Sequence, residues 1–166
     1  MRYVAVLILF LVSLYFHLVL NFYGNGWQYV QPFLISLLLI YFNIKEEWVS
    51  YAFALVAGVL LDSISALFGF HTIVFISVIF ILKNLQLTTF TSKNILTVLA
   101  LTGFSFILYW LFVFLAHSAF NIADYDIDPN HLGAILKGVV INIFVVIFWH
   151  VWHYNFWIKK HEKQSF

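Results

Sequence analysis

The 35 residues from Trp48 to Leu82 form an apolar run with a single acidic member, Asp62. As one straight helix they would reach about 50 Å, against a hydrocarbon core of about 30 Å. The run therefore has to turn back on itself, and Ser63 to Gly69 is its polar, glycine-bearing interruption. Read as a helix up to that turn, Ala54, Gly58, Asp62, Ser65 and Gly69 follow one another at steps of four, four, three and four. They make one stripe of small residues with a carboxylate in its middle. Small residues on one face let membrane helices approach closely, and an ionisable group inside an apolar segment serves a function or a partner. This helix is expected to be the buried centre of the protein.

Composition agrees with a bilayer rather than water as the solvent. Of 166 residues, 64% are hydrophobic and 9% are charged, where a soluble domain carries roughly a quarter charged residues. The net charge of +1 comes with no basic patch, which argues against nucleic acid as a partner. Cysteine is absent, so neither a disulfide framework nor thiolate chemistry is available. The N-terminus, Arg2 followed by apolar residues to Leu20, has the charge order of a signal peptide. Its apolar stretch is too long and no small-x-small cleavage site follows, so it reads as a retained first span.

The chain is expected to be an all-α integral membrane protein, a single domain forming a compact bundle of six transmembrane helices. The spans are read as 3–22, 27–42, 48–67, 69–82, 95–117 and 131–158. Pro32 falls near the start of the second, where proline costs a helix least. Lys83 to Asn94 reads as a polar connection, and Asn121 to Asn130 as an acidic loop with Asp124, Asp126 and Asp128. Spans three and four are short, which leaves a re-entrant hairpin as the alternative there. With six crossings, one side of the membrane receives Arg2, Lys45, Lys83, Lys93, Lys159, Lys160 and Lys163, and the opposite loops receive no Lys or Arg. The positive-inside rule then places both termini in the cytoplasm. Tyr23, Trp27 and Tyr29 are expected at the outer interface, and Tyr41, Trp48, Tyr51, Trp149, Trp152, Tyr154 and Trp157 at the inner one.

Catalysis finds little support. There is no His-Glu-x-x-His and no Gly-x-Ser-x-Gly. One membrane aspartate cannot make an aspartyl dyad, which shares a proton between two carboxylates. His150 and His153 lie one turn apart with His161 near, but only Glu162 stands close enough to complete a metal set, so they read as interfacial. No enzyme activity, cofactor or metal is expected. His17, His71, His117 and His131 all fall near the outer ends of their spans and are candidates for one outward-facing polar pocket. Asp62, Lys137 and Asn142 are the intramembrane polar residues. Asp62 and Lys137 are expected at similar depth, with Ala134, Gly138 and Asn142 on the face of Lys137. Two arrangements relieve the carboxylate: a direct Asp62–Lys137 pair, or an Asp62 that stays protonated or bonds Ser65 or His71 while Lys137 reaches the outer surface and meets Asp124, Asp126 or Asp128.

Pro32 in the second span, Gly58-Val-Leu-Leu-Asp62 in the third and Gly69-Phe-His71 opening the fourth resemble the signature of the rod-shape-determining protein MreD family. That resemblance covers nearly the whole chain. Ala54 stands where the family often has another glycine, and Val59 replaces the usual leucine. It implies a non-enzymatic scaffold of the bacterial cell-elongation machinery in the inner membrane. Its implied partners are membrane lipid, an MreC-like bitopic shape protein and, indirectly, an MreB-like filament and peptidoglycan synthases. The resemblance of that family's helix arrangement to the substrate-binding subunits of energy-coupling-factor transporters implies the alternative, a small-molecule-binding membrane subunit. Pro32, Ala54, Gly58, Ser65 and Gly69 are the expected helix-packing positions.

Overall fold

The computed structural model describes residues 2–23, 27–44, 46–65, 69–88, 95–120 and 129–153. They form helix α1 (Arg2–Tyr23), a 3-10 turn (Trp27–Tyr29), and helices α2 (Pro32–Asn43), α3 (Glu47–Ser65), α4 (Phe70–Thr88), α5 (Ile95–Phe120) and α6 (Pro129–His153). Among the described residues, α1, α3, α5 and α6 are long and apolar enough to cross a membrane, and α2 and α4 are shorter apolar helices.

Prolines set two of the helix starts. The sequence puts the second span at Trp27, whereas α2 begins at Pro32 after a 3-10 turn and two non-helical residues. Proline disfavours helical angles in the residue before it, and Gln31 sits at φ −113°, ψ 81°. Proline itself lacks an N–H and suits the first helical turn, where that donor has no partner in any case. The same logic starts α6 at Pro129, two residues before the expected His131. Residues 154–158, assigned to the sixth span by sequence, lie outside the described residues, as does Leu67 at the expected end of the third.

Helix α4 runs past Leu82 to Thr88. The residues read as a connection, Lys83-Asn-Leu-Gln-Leu87, include good helix formers, and their polar groups have partners on neighbouring helices. Lys83 Nζ lies 2.6 Å from Glu47 Oε2 at the start of α3, and the Tyr41 hydroxyl donates to Gln86 Oε1 at 2.6 Å.

The buried centre is α2 and not α3. Every residue from Pro32 to Ile40 is buried, because α2 packs against α1, α3 and α6 at once. Helix α3 buries Ala54, Ala57, Gly58, Leu61 and Asp62 on one side and exposes Leu55, Val56 and Val59 on the other. A stripe of small residues specifies a close contact on one face; burial all round needs neighbours on every side. The remaining contacts follow chain order, α3 with α4, α4 with α5 and α5 with α6, and α6 returns to both α2 and the 3-10 turn. Tyr23, Trp27, Trp48, Trp149 and Trp152 are exposed, but Tyr29 is 4% exposed. Its ring packs against Trp110 of α5 at 5.7 Å, so it belongs to the core rather than to an interfacial belt.

Candidate functional site

The carboxylate of Asp62 on α3 holds the start of α4. Phe70 opens α4, and the carbonyl of Gly69 already accepts the first helical bond, from Ile73 N–H at 3.1 Å. Gly69 therefore holds the N-cap position, where serine, threonine or aspartate ordinarily accepts an N–H of the first turn. Glycine has no side chain to do so. Its φ of +75° lies in the left-handed region that favours glycine, and a Cβ there would meet nothing within 4 Å. The backbone angle, not space, requires glycine at this position.

Asp62 supplies the missing cap from α3. Its Oδ1 accepts the backbone N–H of His71 at 2.7 Å, and Oδ2 accepts that of Thr72 at 3.2 Å. The side chains complete the set: the Thr72 hydroxyl donates to Oδ2 at 2.8 Å, and His71 Nδ1 lies 3.0 Å from Oδ1. A carboxylate oxygen accepts, so Nδ1 carries the proton in this contact. An anion at the positive end of a helix gains from the macrodipole as well. Asp62 and His71 are both buried.

One turn before Asp62, Gly58 allows the approach that makes these bonds short. A Cβ at Gly58 would stand 2.4 Å from Thr72 Cα and 2.7 Å from Thr72 N. The glycine admits the backbone of the α4 start, and the aspartate four residues later bonds it. Ala54, a further turn back, is fully buried. Ser65 lies beyond the contact: it is exposed, and its hydroxyl donates back to the Leu61 carbonyl.

An equivalent arrangement holds the start of α2. A Cβ at Gly138 on α6 would stand 2.7 Å from the Tyr29 carbonyl oxygen and 2.8 Å from Tyr29 Cβ. Four residues on, Asn142 Oδ1 accepts the N–H of Gln31 at 3.2 Å, and Asn142 Nδ2 lies 3.5 Å from the Tyr29 carbonyl. Asn142 is fully buried. Inside a bilayer, non-helical backbone is tolerated only where protein satisfies it, and here one asparagine serves the break between the 3-10 turn and α2. Asn142 stands out in the sequence as an intramembrane polar group. Its partners, 111 and 113 residues away, carry no local signal that could have revealed them.

Lys137 takes no part in either arrangement. Both oxygens of Asp62 are engaged by His71 and Thr72, so the local alternative for that carboxylate is realised and the Asp62–Lys137 pair is not. Lys137 is exposed on α6. Of the four outer histidines, His71 belongs to the Asp62 clasp. The His17 ring packs on Phe33 at 5.7 Å, and its Nε2 lies 3.0 Å from Asn21 Nδ2. The side chains of His117 and His131 lie outside the described residues. His150 packs edge-on against Phe42; the His153 side chain and His161 are likewise outside them. Among the described residues, no three His, Cys, Asp or Glu side chains are grouped to hold a metal ion.

What the site does chemically is hold structure: an acceptor on one helix fixes where the next helix begins. No curated protein and no solved structure shows significant similarity to the chain. The family model described as "MreD: rod shape-determining protein MreD" matches residues 1–156.

Proposed function

Because the chain belongs to the MreD family of rod shape-determining proteins, we propose that it acts as a non-enzymatic, multi-pass scaffold of the bacterial cell-elongation machinery in the inner membrane. The observation that carries this reading is the family match over nearly the whole chain. The clasp formed by Gly58, Asp62 and Gly69, the residues of the resembling signature, gives those residues an architectural task. Every hydrogen bond of the Asp62 carboxylate goes to the start of α4. In this reading all six helices cross, and both termini are cytoplasmic. The seven basic residues other than Lys137 support that orientation, since all of them fall at one side of a six-crossing chain. The short α2 crosses together with the 3-10 turn and the non-helical residues before it, which Asn142 satisfies within the bundle.

As a scaffold the protein would assemble with an MreC-like single-span shape protein, and through it with an MreB-like filament and peptidoglycan synthases. The test is depletion of the chain in a rod-shaped bacterium that produces it, with affinity purification in mild detergent alongside. Rounded cells, and co-purification of a cell-wall elongation protein, are expected. Unaltered rods on depletion, or recovery with a stoichiometric small molecule and no elongation protein, would refute the scaffold.

A further inference from the structure

Gly-x-x-x-polar occurs at Gly58–Asp62 and Gly138–Asn142, and each pair receives a segment of this chain: the glycine admits a neighbour and the polar residue one turn later bonds it. A third pair of the same spacing, Gly133–Lys137, lies on α6. A Cβ at Gly133 would meet nothing within 4 Å. Gly133 and Lys137 are both exposed, on a face that continues through Val140, Phe144 and Phe148. Lys137 lies within the apolar stretch Leu132–Trp152, and among the described residues its ammonium meets no carboxylate.

From this we infer that the Gly133–Lys137 face of α6 is the docking surface for a membrane helix of a different polypeptide, one that carries an Asp or Glu level with Lys137. The charge selects the occupant. A lysine in an apolar span is costly unless paired or solvated, and its complement in a helix partner is a carboxylate. A second copy of this chain cannot supply one from its helices. Asp62 is committed to His71 and Thr72, and Glu46 and Glu47 lie at the opposite end of α3. The open Gly133 lets the partner backbone come close, as Gly58 does for α4. The inference rests on the scaffold reading for the existence of a membrane partner, and assigns that partner a place.

The experiment places a photo-crosslinking amino acid at Val140 of the full chain in native membranes, with Ile73 on the exposed side of α4 as control. The expected result at Val140 is one crosslinked polypeptide with an acidic residue in a span near the outer boundary, and no such product at Ile73. Lys137→Gln should lower the yield by about threefold to thirtyfold, the range of interhelical polar contacts in bilayers, and Lys137→Arg should keep most of it. Lys137→Glu combined with the partner's acid changed to Lys should restore it. The inference is overturned if Lys137→Gln leaves the yield unchanged, if only lipid is captured, or if the captured span has no acid. It is equally overturned if Asp124→Asn, Asp126→Asn and Asp128→Asn together reproduce the loss, since Lys137 would then serve the chain's own loop. Capture of an elongation protein at Ile73 but not Val140 sinks this surface and leaves the scaffold standing; a Val140 product that carries the acid but is no elongation protein keeps this surface and counts against the scaffold.

Discussion

Replacing Asp62 tests the clasp most directly, because the structure distinguishes among substitutions. Asp62→Asn keeps one acceptor oxygen. Turned toward His71, that oxygen still receives the His71 N–H and Nδ1–H, while the new amide faces Thr72. The Thr72 hydroxyl can rotate to accept from it, which leaves the Thr72 N–H as the donor without a partner. One unmet buried donor costs about 1–3 kcal/mol, and loss of the anion at the helix start adds about 0.3–1 kcal/mol. Asp62→Leu removes all four bonds and leaves two backbone donors and two side chains unmet, one of them the buried imidazole; at about 1–3 kcal/mol for each unmet buried donor, the loss exceeds that of Asp62→Asn. The assay is unfolding of the purified protein in mixed micelles, followed by tryptophan fluorescence as SDS is raised. The midpoint should fall in the order wild type, Asn, Leu. A Leu variant as stable as wild type would refute the claim that α4 depends on this carboxylate.

Three further outcomes follow from the geometry. Thr72→Val removes only the hydroxyl bond to Oδ2 and should cost about 1 kcal/mol in the same assay, less than either Asp62 variant. Gly58→Ala and Gly138→Ala should each destabilise by about 1–3 kcal/mol through overpacking, since the added methyl meets backbone at Thr72 or Tyr29. Leu60→Phe, on the half-exposed side of α3, should be milder, and equal stability for Leu60→Phe and Gly58→Ala would undo the close-contact reading. Single cysteines at Asn25, Ala66 and Asp126 should react with an impermeant thiol reagent from outside the cell and those at Asn43, Thr89 and Gln164 should not; labelling of Thr89 from outside would overturn the proposed orientation.

How much of this was legible in the sequence depends on the reach of each interaction. The α3–α4 hairpin could be read because its constraint is local: a run too long for the bilayer, one turn, and an aspartate nine and ten residues from the groups it bonds. His71 stood among the alternatives for satisfying Asp62, while Thr72, an ordinary residue in an apolar helix, gave no signal. The late start of α2 was half visible, since Pro32 marks a first helical turn. The break before it was not, because its acceptor lies on the last helix. The depth argument for Asp62 and Lys137 failed for a different reason. Equal depth is necessary for pairing, but the two helices must also pack together: α3 packs on α2 and α4, α6 on α2, α5 and the 3-10 turn, and Lys137 faces outward, an arrangement no local pattern encodes. Interfacial tyrosine and core tyrosine also look alike in sequence, and Tyr29 proved to be the second kind.

The two clasps together explain why the most costly polar groups of the bundle sit where they do. The first N–H groups of a helix have no intrahelical acceptor, and where the helix start is buried they need one from elsewhere in the protein. Helices α2 and α4 each begin after residues whose backbone departs from the helix, at Gln31 and Gly69. Neither residue caps its own helix with a side chain: Gln31 makes no such bond, and Gly69 has no side chain to offer. In both cases the acceptor comes from another helix, as aspartate from α3 for α4 and asparagine from α6 for α2. In both, a glycine one turn earlier brings the donor within reach. The position of each helix start along its neighbour is thereby set by a hydrogen bond that is lost if the helix slides by one turn. Apolar packing between lipid-bathed helices lacks the hydrophobic driving force available in water and resists such sliding only weakly. For a protein proposed to hold partners in register across a membrane, fixed registry is the property to protect, and Asp62 and Asn142 are the residues that fix it.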